Sequence, residues 1–251
     1  MKIGFSSGSL RKCGMSFLET ARFVKGQGAN SFEISFRDPN SLLEFELSEE
    51  IVKILGSFDY LSIHAPFDLV GNSIYQDDEF TRRIMLKLEE LFNNLPVKGI
   101  VFHPTNIGDF DFLDNSELPI LIENMDIRKD SFKTTEEIKK LKEKYGFEFV
   151  LDLEHSFEND PSGKLTKDLI EIMGDRLKEV HLSGARKINL SNLDQSNHCL
   201  LRDSGYLSDL LSHLSDLRDI PIILEGGFEK GQEESLKDEL SYVIKMLEIK
   251  K

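Results

Sequence analysis

Along the chain, short apolar, β-rich runs alternate with longer segments whose apolar residues return at helical spacing. The runs predict strands at 2–6 (KIGFS), 31–36 (SFEISF), 60–64 (YLSIH), 99–103 (GIVFH), 119–124 (PILIEN), 147–153 (FEFVLDL), 178–182 (KEVHL) and 220–225 (IPIILE). Strands this apolar, without strict alternation, suit a parallel sheet covered by helices, and eight βα repeats close naturally into a barrel. The expected fold is therefore an α/β (β/α)₈ TIM barrel, a single domain over residues 1–251, the usual size for that architecture.

The segments between carry helix signals. Ser16 and Glu19 have capping-box spacing, as do Thr134 and Glu137, and Ser48 precedes the acidic turn Glu49–Glu50. Phe80, Ile84, Leu88, Leu91 and Leu95 recur on one face of a helix over 78–95, and Leu236, Leu240, Val243 and Leu247 on one face over 234–248. These stripes are expected to face the barrel as core. Two connections break the rhythm. About sixteen residues separate strands four and five, so TNIGDFDFLDNSE holds at most a short helix, and 183–204 is a polar stretch ahead of a helical run at 205–218.

Composition narrows the function classes. No stretch of 18 uninterrupted apolar side chains is present, and the N-terminus MKIGFSSGSL lacks an apolar signal-peptide core, so a cytoplasmic protein without a membrane partner is expected. Cys13 and Cys199 lie far apart, which suits a reducing compartment, and Cys13 is expected to be a free buried thiol. The net charge of −14 disfavours tight nucleic-acid binding, and the absence of Trp leaves few stacking platforms. Nothing in the sequence reads as a partner-specific interface, so the oligomeric state is open.

The chemistry concentrates at the strand ends, where a barrel of this kind carries its active site. Strand three ends in His64, strand four in His103, strand five in Glu123, strand six in Asp152 and His155, strand seven in His181, and strand eight in Glu225; His198 follows in the long loop. Carboxylates converging on one mouth repel and are costly to desolvate unless a cation holds them. Mixed His and carboxylate ligation suits Zn²⁺, Mn²⁺, Co²⁺ or Fe²⁺. Weaker candidates surround this set. Glu33 is read as an inward acid that orients a histidine, Phe67 as an apolar wall, and Arg186 and Lys187 as contacts for a substrate phosphate or hydroxyl. Gly226 and Gly227 are read as points of close backbone approach, and His213 is left out.

The endings SIHAP, VFHP, IENM, DLEH, VHLS and ILEG resemble those of the xylose isomerase-like barrel superfamily, which includes endonuclease IV and the ketose 3-epimerases, and the likeness runs from strand one to strand eight. The epimerase branch implies one metal on Glu123, Asp152, His181 and Glu225, with Glu123 and Glu225 exchanging protons with the substrate carbon and His155 meeting a hydroxyl. The endonuclease IV branch implies three metals. His64 and His103 join Glu123 at the first, Asp152, His181 and Glu225 complete the second, and His155 with the His of an Asp-x-His pair holds the third. His198 fills that last role only in part, since Ser196 stands where the pair has Asp, so the site lacks a carboxylate unless Asp194 or Asp203 substitutes.

The favoured expectation is a divalent-metal-dependent isomerase or epimerase of a small sugar or sugar phosphate, using Zn or Mn and binding one to three ions. The alternative is endonuclease IV-like, zinc-dependent phosphodiester hydrolysis of abasic DNA. A non-catalytic metal-binding barrel, or a lyase or dehydratase of the same superfamily, comes third.

Overall fold

The computed structural model describes residues 1–69, 74–185, 198–204, 217 and 219–249. Eight parallel strands form a closed barrel in chain order: β1 (Ile3–Ser6), β2 (Ser31–Ser35), β3 (Tyr60–His64), β4 (Gly99–Phe102), β5 (Ile120–Glu123), β6 (Glu148–Asp152), β7 (Leu177–Leu182) and β8 (Ile222–Leu224), with β8 pairing back onto β1. All eight lie within a residue or two of the expected runs, and the sheet has the expected parallel sense.

The expectation on alternation needs correction. Phe32 and Ile34 on β2, Leu61 and Ile63 on β3, and Ile120 and Ile122 on β5 belong to the main core beneath the helices. The intervening positions point into the barrel. Val101, Leu121 and Val150, from β4, β5 and β6, pack there as a small cluster of their own. The other side of the interior is polar, with Ser6, Ser31, Glu33, Ser62 and Glu179 all at 2% exposure or less. The strands look apolar because their outward residues are large, while the inward ones are small, polar or charged. That polar half of the interior leads up to the mouth.

The helices follow the local signals. α1 (Phe17–Gly26) begins with the Ser16/Glu19 capping box, then come α2 (Pro39–Leu43) and α3 (Glu49–Leu55), the latter capped by Ser48. α4 (Glu79–Asn94) buries Ile84, Leu88 and Leu91 completely, with Phe80 at the edge of its stripe. The connection between β4 and β5 holds only a 3₁₀ turn at Pro104–Asn106 and the short helix α5 (Phe110–Asp114). α6 (Thr135–Lys144) carries the Thr134/Glu137 box and packs on α8 (Lys164–Met173). α9 (Leu236–Ile249) buries Leu236, Leu240, Val243 and Leu247.

α7 (Leu153–Asn159) was not expected. Strand six ends one residue early because the Asp152 side chain accepts a hydrogen bond from the backbone N–H of His155 at 2.8 Å and so caps the helix. Expectations for the loop at 186–197 and the helical run at 205–216, which include Arg186, Lys187, Asp194, Ser196 and His213, lie outside the described residues. Among the described residues no helix is long and apolar enough to cross a membrane.

Candidate metal centre

Parallel strands of matched length deliver their last residues to one end of the barrel, so His64, Glu123, Asp152 and His181 meet there without help from loops. Just beyond, Asn124 ties β5 to β6. Its side-chain carbonyl accepts from Asp152 N–H at 2.8 Å and its side-chain N–H donates to Asp152 C=O at 3.0 Å. Gly226, after Glu225, lies against the backbone of Cys199, where a Cβ would come 2.7 Å from the carbonyl oxygen. Only glycine permits that approach, which sets the Glu225 loop beside His198.

Among the described residues four groups of side chains result, each with donor atoms within 4.8 Å of one another: His64, His103 and Glu123; Glu123, Asp152, His181 and Glu225; Glu154, His155 and His198; and, beneath the mouth, Glu33, Glu179 and His181. Glu123 belongs to the first two. Its Oε2 lies 3.4 Å from His64 Nε2 and 3.1 Å from His103 Nε2, and its Oε1 lies 3.2 Å from His181 Nδ1. Glu225 Oε2 is 3.5 Å from His181 Nδ1. The site is nearly dry: Glu123, Asp152 and His181 are at most 1% exposed, whereas His103, His198 and Glu225 are partly open. Above them is a cavity of about 610 Å³ lined by both glutamates, His64, His103, His155, His198 and Phe67. The Phe67 ring stands edge-on to His64 at 5.2 Å, as an apolar wall.

Hydrogen bonds on the far side of each ring fix the tautomers. His64 Nδ1–H donates to the Ala65 carbonyl at 2.9 Å and His155 Nδ1–H to the Asn124 carbonyl at 2.9 Å. His181 Nε2–H donates to Glu179 at 2.7 Å, with Glu33 at 3.2 Å. Each neutral ring is thereby left with its lone-pair nitrogen facing the mouth, the arrangement that outer hydrogen bonds impose on metal-binding histidines. A lone pair facing carboxylate oxygens at 3.2–3.5 Å is repulsive unless a proton or a cation lies between them. Glu123 Oε2 and Asp152 Oδ2 are moreover buried with no hydrogen-bond donor. One divalent ion relieves both conditions, so the donor set fits a metal of the Zn²⁺ or Mn²⁺ kind.

The electrostatics of the protein groups alone point the same way. Burial would raise the Glu123 carboxyl, but His181 and His103 outweigh it and hold it well below the usual range. Burial pushes Glu225 well above its ordinary value; His181 opposes this and the charges of Glu33, Glu123 and Asp152 reinforce it. Burial disfavours the charged form of His181 and His155, yet neighbouring carboxylates win: Glu225, Glu33 and Glu123 raise His181 strongly, and Asp152, Glu123 and Asp126 lift His155 to about 9. His198, with burial dominant, falls to about 4.

Of the weaker candidates, Glu33 is fully buried beneath His181, as expected of an orienting acid, and Cys13 is a buried free thiol. Gly227 donates its N–H to the His198 carbonyl at 3.3 Å. Two acids escaped sequence reading. Glu179 lies two residues before His181 on β7, and period-two geometry puts both on the inner face, so that signal was present. Glu154 stands directly before His155 and becomes inward only because α7 begins there.

Comparison with protein-family models finds no match, and neither does comparison with curated proteins. Solved structures do match along their whole length. Endonuclease IV from Thermus thermophilus is 20% identical, with 99% of each chain covered and a TM-score of 0.69. D-psicose 3-epimerase from Clostridium cellulolyticum, determined with D-tagatose, is 14% identical, covering 98% of this chain and 99% of its own, at 0.67. A probable 3-DHS dehydratase involved in petrobactin synthesis from Bacillus anthracis is 14% identical, covering 97% and 99%, at 0.70. Whole-chain superposition at such low identity establishes architecture alone: the chain has a TIM-barrel fold similar to that of these proteins of differing chemistry.

Proposed function

We propose that the chain is a divalent-metal-dependent isomerase or epimerase of a small sugar or sugar phosphate. The observation that carries this reading is the convergence of Glu123 and Glu225, with Asp152 and His181, on one point at the floor of a cavity of about 610 Å³. β5 and β8 are three strands apart in a ring of eight, so the two glutamates enter from nearly opposite walls. The volume suits a small polar ligand.

Glu123, Asp152, His181 and Glu225 would hold the ion, which would supply Lewis-acid polarisation of adjacent substrate oxygens and so acidify the carbon between them. Glu123, kept ionised by His181 and His103, is suited to take the proton from that carbon. Glu225, entering from the other wall, is placed to return one to the opposite face of that carbon. His155, its ring fixed by the Asn124 carbonyl, offers the opposite nitrogen to a substrate hydroxyl. Phe67 and the buried floor keep competing water away.

The test is exchange of solvent deuterium into a panel of ketoses and ketose phosphates by the Mn²⁺- or Zn²⁺-loaded protein. Wild type is expected to exchange the proton at the carbon beside the carbonyl, and Glu123→Gln and Glu225→Gln to lose at least about 100-fold, the usual contribution of a positioned acid or base. Absence of exchange across the panel, together with cleavage of abasic-site DNA, would replace this reading.

Phosphodiester hydrolysis is the second reading, favoured by the sharing of Glu123 between the His64/His103 group and the Asp152/His181/Glu225 group, an arrangement suited to two bridged ions. The rim argues against a polyanion: Arg11, Lys12 and Lys129 are interspersed with Asp126, Asp203 and Glu229, and Lys12 is paired with Glu229.

A further inference from the structure

Beneath the metal centre, the barrel interior holds a second concentration of charge that the reaction proposed above does not use. Glu33 on β2 and Glu179 on β7 are both 0% exposed and converge on the outer nitrogen of His181, with Glu179 Oε1 at 2.7 Å from Nε2 and Glu33 Oε2 at 3.2 Å. With Nδ1 turned to an ion at the centre, the neutral ring has a single N–H to offer, and Glu179 takes it. Both oxygens of Glu33 and Oε2 of Glu179 are left buried without a hydrogen-bond partner. The central ion does not compensate them, because it already faces Glu123, Asp152 and Glu225. Two buried carboxylates in that condition are costly enough that the pair either binds a cation or keeps a proton.

The neighbouring strand favours the cation. Leu61 and Ile63 of β3 belong to the core outside the barrel, so Tyr60 and Ser62 point inward, and Ser62 is the register partner of Glu33. Ser62 Oγ and Tyr60 Oη, on residues 0% and 5% exposed, are also buried with no hydrogen-bond partner. A proton shared by the two acids would leave these hydroxyls unexplained, whereas an ion takes neutral oxygens as ligands. We propose that the barrel interior beneath His181 binds one hard divalent cation, Mg²⁺ or Ca²⁺, through the carboxylates of Glu33 and Glu179 and the hydroxyls of Ser62 and Tyr60. The donors offered are oxygens alone, since His181 turns an N–H to this side, and such a set suits a hard ion and not Zn²⁺. One oxygen of Glu33 and one of Glu179 lie within 4.8 Å of each other, a span that an ion at about 2.4 Å from each would bridge. The ion would hold Glu179 in place as the acceptor that orients His181, and it is additional to the transition metal at the mouth.

The purified protein, loaded with Zn²⁺ or Mn²⁺, is incubated with Mg²⁺ and Ca²⁺, passed through gel filtration and analysed element by element. An ion enclosed at this depth survives that separation. Wild type is expected to carry one Mg²⁺ or Ca²⁺ per chain beside its transition metal. Glutamine reproduces a protonated carboxyl group, so Glu33→Gln and Glu179→Gln imitate the shared proton and are each expected to lose the hard ion. Glu33→Gln is also expected to keep its transition metal, because it leaves every ligand at the mouth in place. A wild type free of both Mg²⁺ and Ca²⁺ overturns the proposal in favour of the shared proton, and so does a Glu33→Gln protein that keeps the wild-type count. Should one glutamine variant fail to fold by circular dichroism, the other decides by the same criterion. The two classes of ion are counted separately, so a chain that holds the hard ion but no transition metal would sink the isomerase reading without touching this site.

Discussion

At the scale of single residues, the site is defined by what each imidazole does with its outer nitrogen. Glu179 and the Ala65 and Asn124 carbonyls occupy those nitrogens, which leaves His64 Nε2 facing Glu123, His181 Nδ1 facing Glu123 and Glu225, and His155 Nε2 turned toward Asp126. Among the protein groups alone, protons fill the gap: His155 is raised to about 9 and His181 is raised strongly. A histidine with a raised folded-state pKa adds stability that is full below its unfolded value, near 6.5, and is lost as the pH rises through the folded value. Chelated protein is therefore expected to lose stability from about pH 6.5 toward pH 9 through His155. Metal affinity should move oppositely, because the ion must displace those protons. Calorimetry in buffers of different ionisation enthalpy should find at least one proton released per ion at neutral pH; a proton count of zero, with affinity independent of pH, would contradict this tautomer assignment.

At the scale of elements, the strands were legible and the turn after β6 was not. Phe32 and Ile34 flank Glu33, and Val180 and Leu182 flank His181, so outward bulk and inward chemistry share one short run, and the ligands fall at strand ends in the order expected. DLEH reads as the end of a strand because its first residues continue an apolar run. Only the Asp152 cap turns it into α7, which is what buries Glu154, a tertiary consequence absent from any spacing rule. Asn124 is the joint between β5 and β6, with both ends of its amide bonded to the backbone of Asp152. Its replacement by alanine leaves a buried N–H and a buried C=O unsatisfied. Asn124→Ala is expected to cost about 2–4 kcal/mol, from about 1–3 per orphaned group with partial relaxation. Urea unfolding measures this; a loss under about 0.5 kcal/mol would mean that the strand ends are held by packing alone.

At the scale of the whole molecule, the barrel divides its interior unevenly. Val101, Leu121 and Val150 fill one side with apolar bulk, while Glu33, Glu179 and the serines line the other and continue into the mouth. Glu33, Glu123, Asp152, Glu154 and Glu179 are each at most 1% exposed in a chain of net charge −14. Such a concentration of buried acids is a poor way to stabilise a barrel and a good way to hold cations. Neighbours of the same fold include an epimerase, an endonuclease and a probable dehydratase, so the barrel alone does not select the reaction; the donor set and the cavity above it carry that burden. The measurement that bears most directly on the account is transition-metal content per chain, by elemental analysis, in wild type and in Asp152→Asn. Asparagine keeps an oxygen to cap α7 but removes the anionic ligand. Wild type is expected to retain at least one Zn²⁺ or Mn²⁺ per chain and Asp152→Asn to lose one while remaining folded; a wild type free of metal even after incubation with both ions, or a variant that keeps the wild-type content, would contradict it.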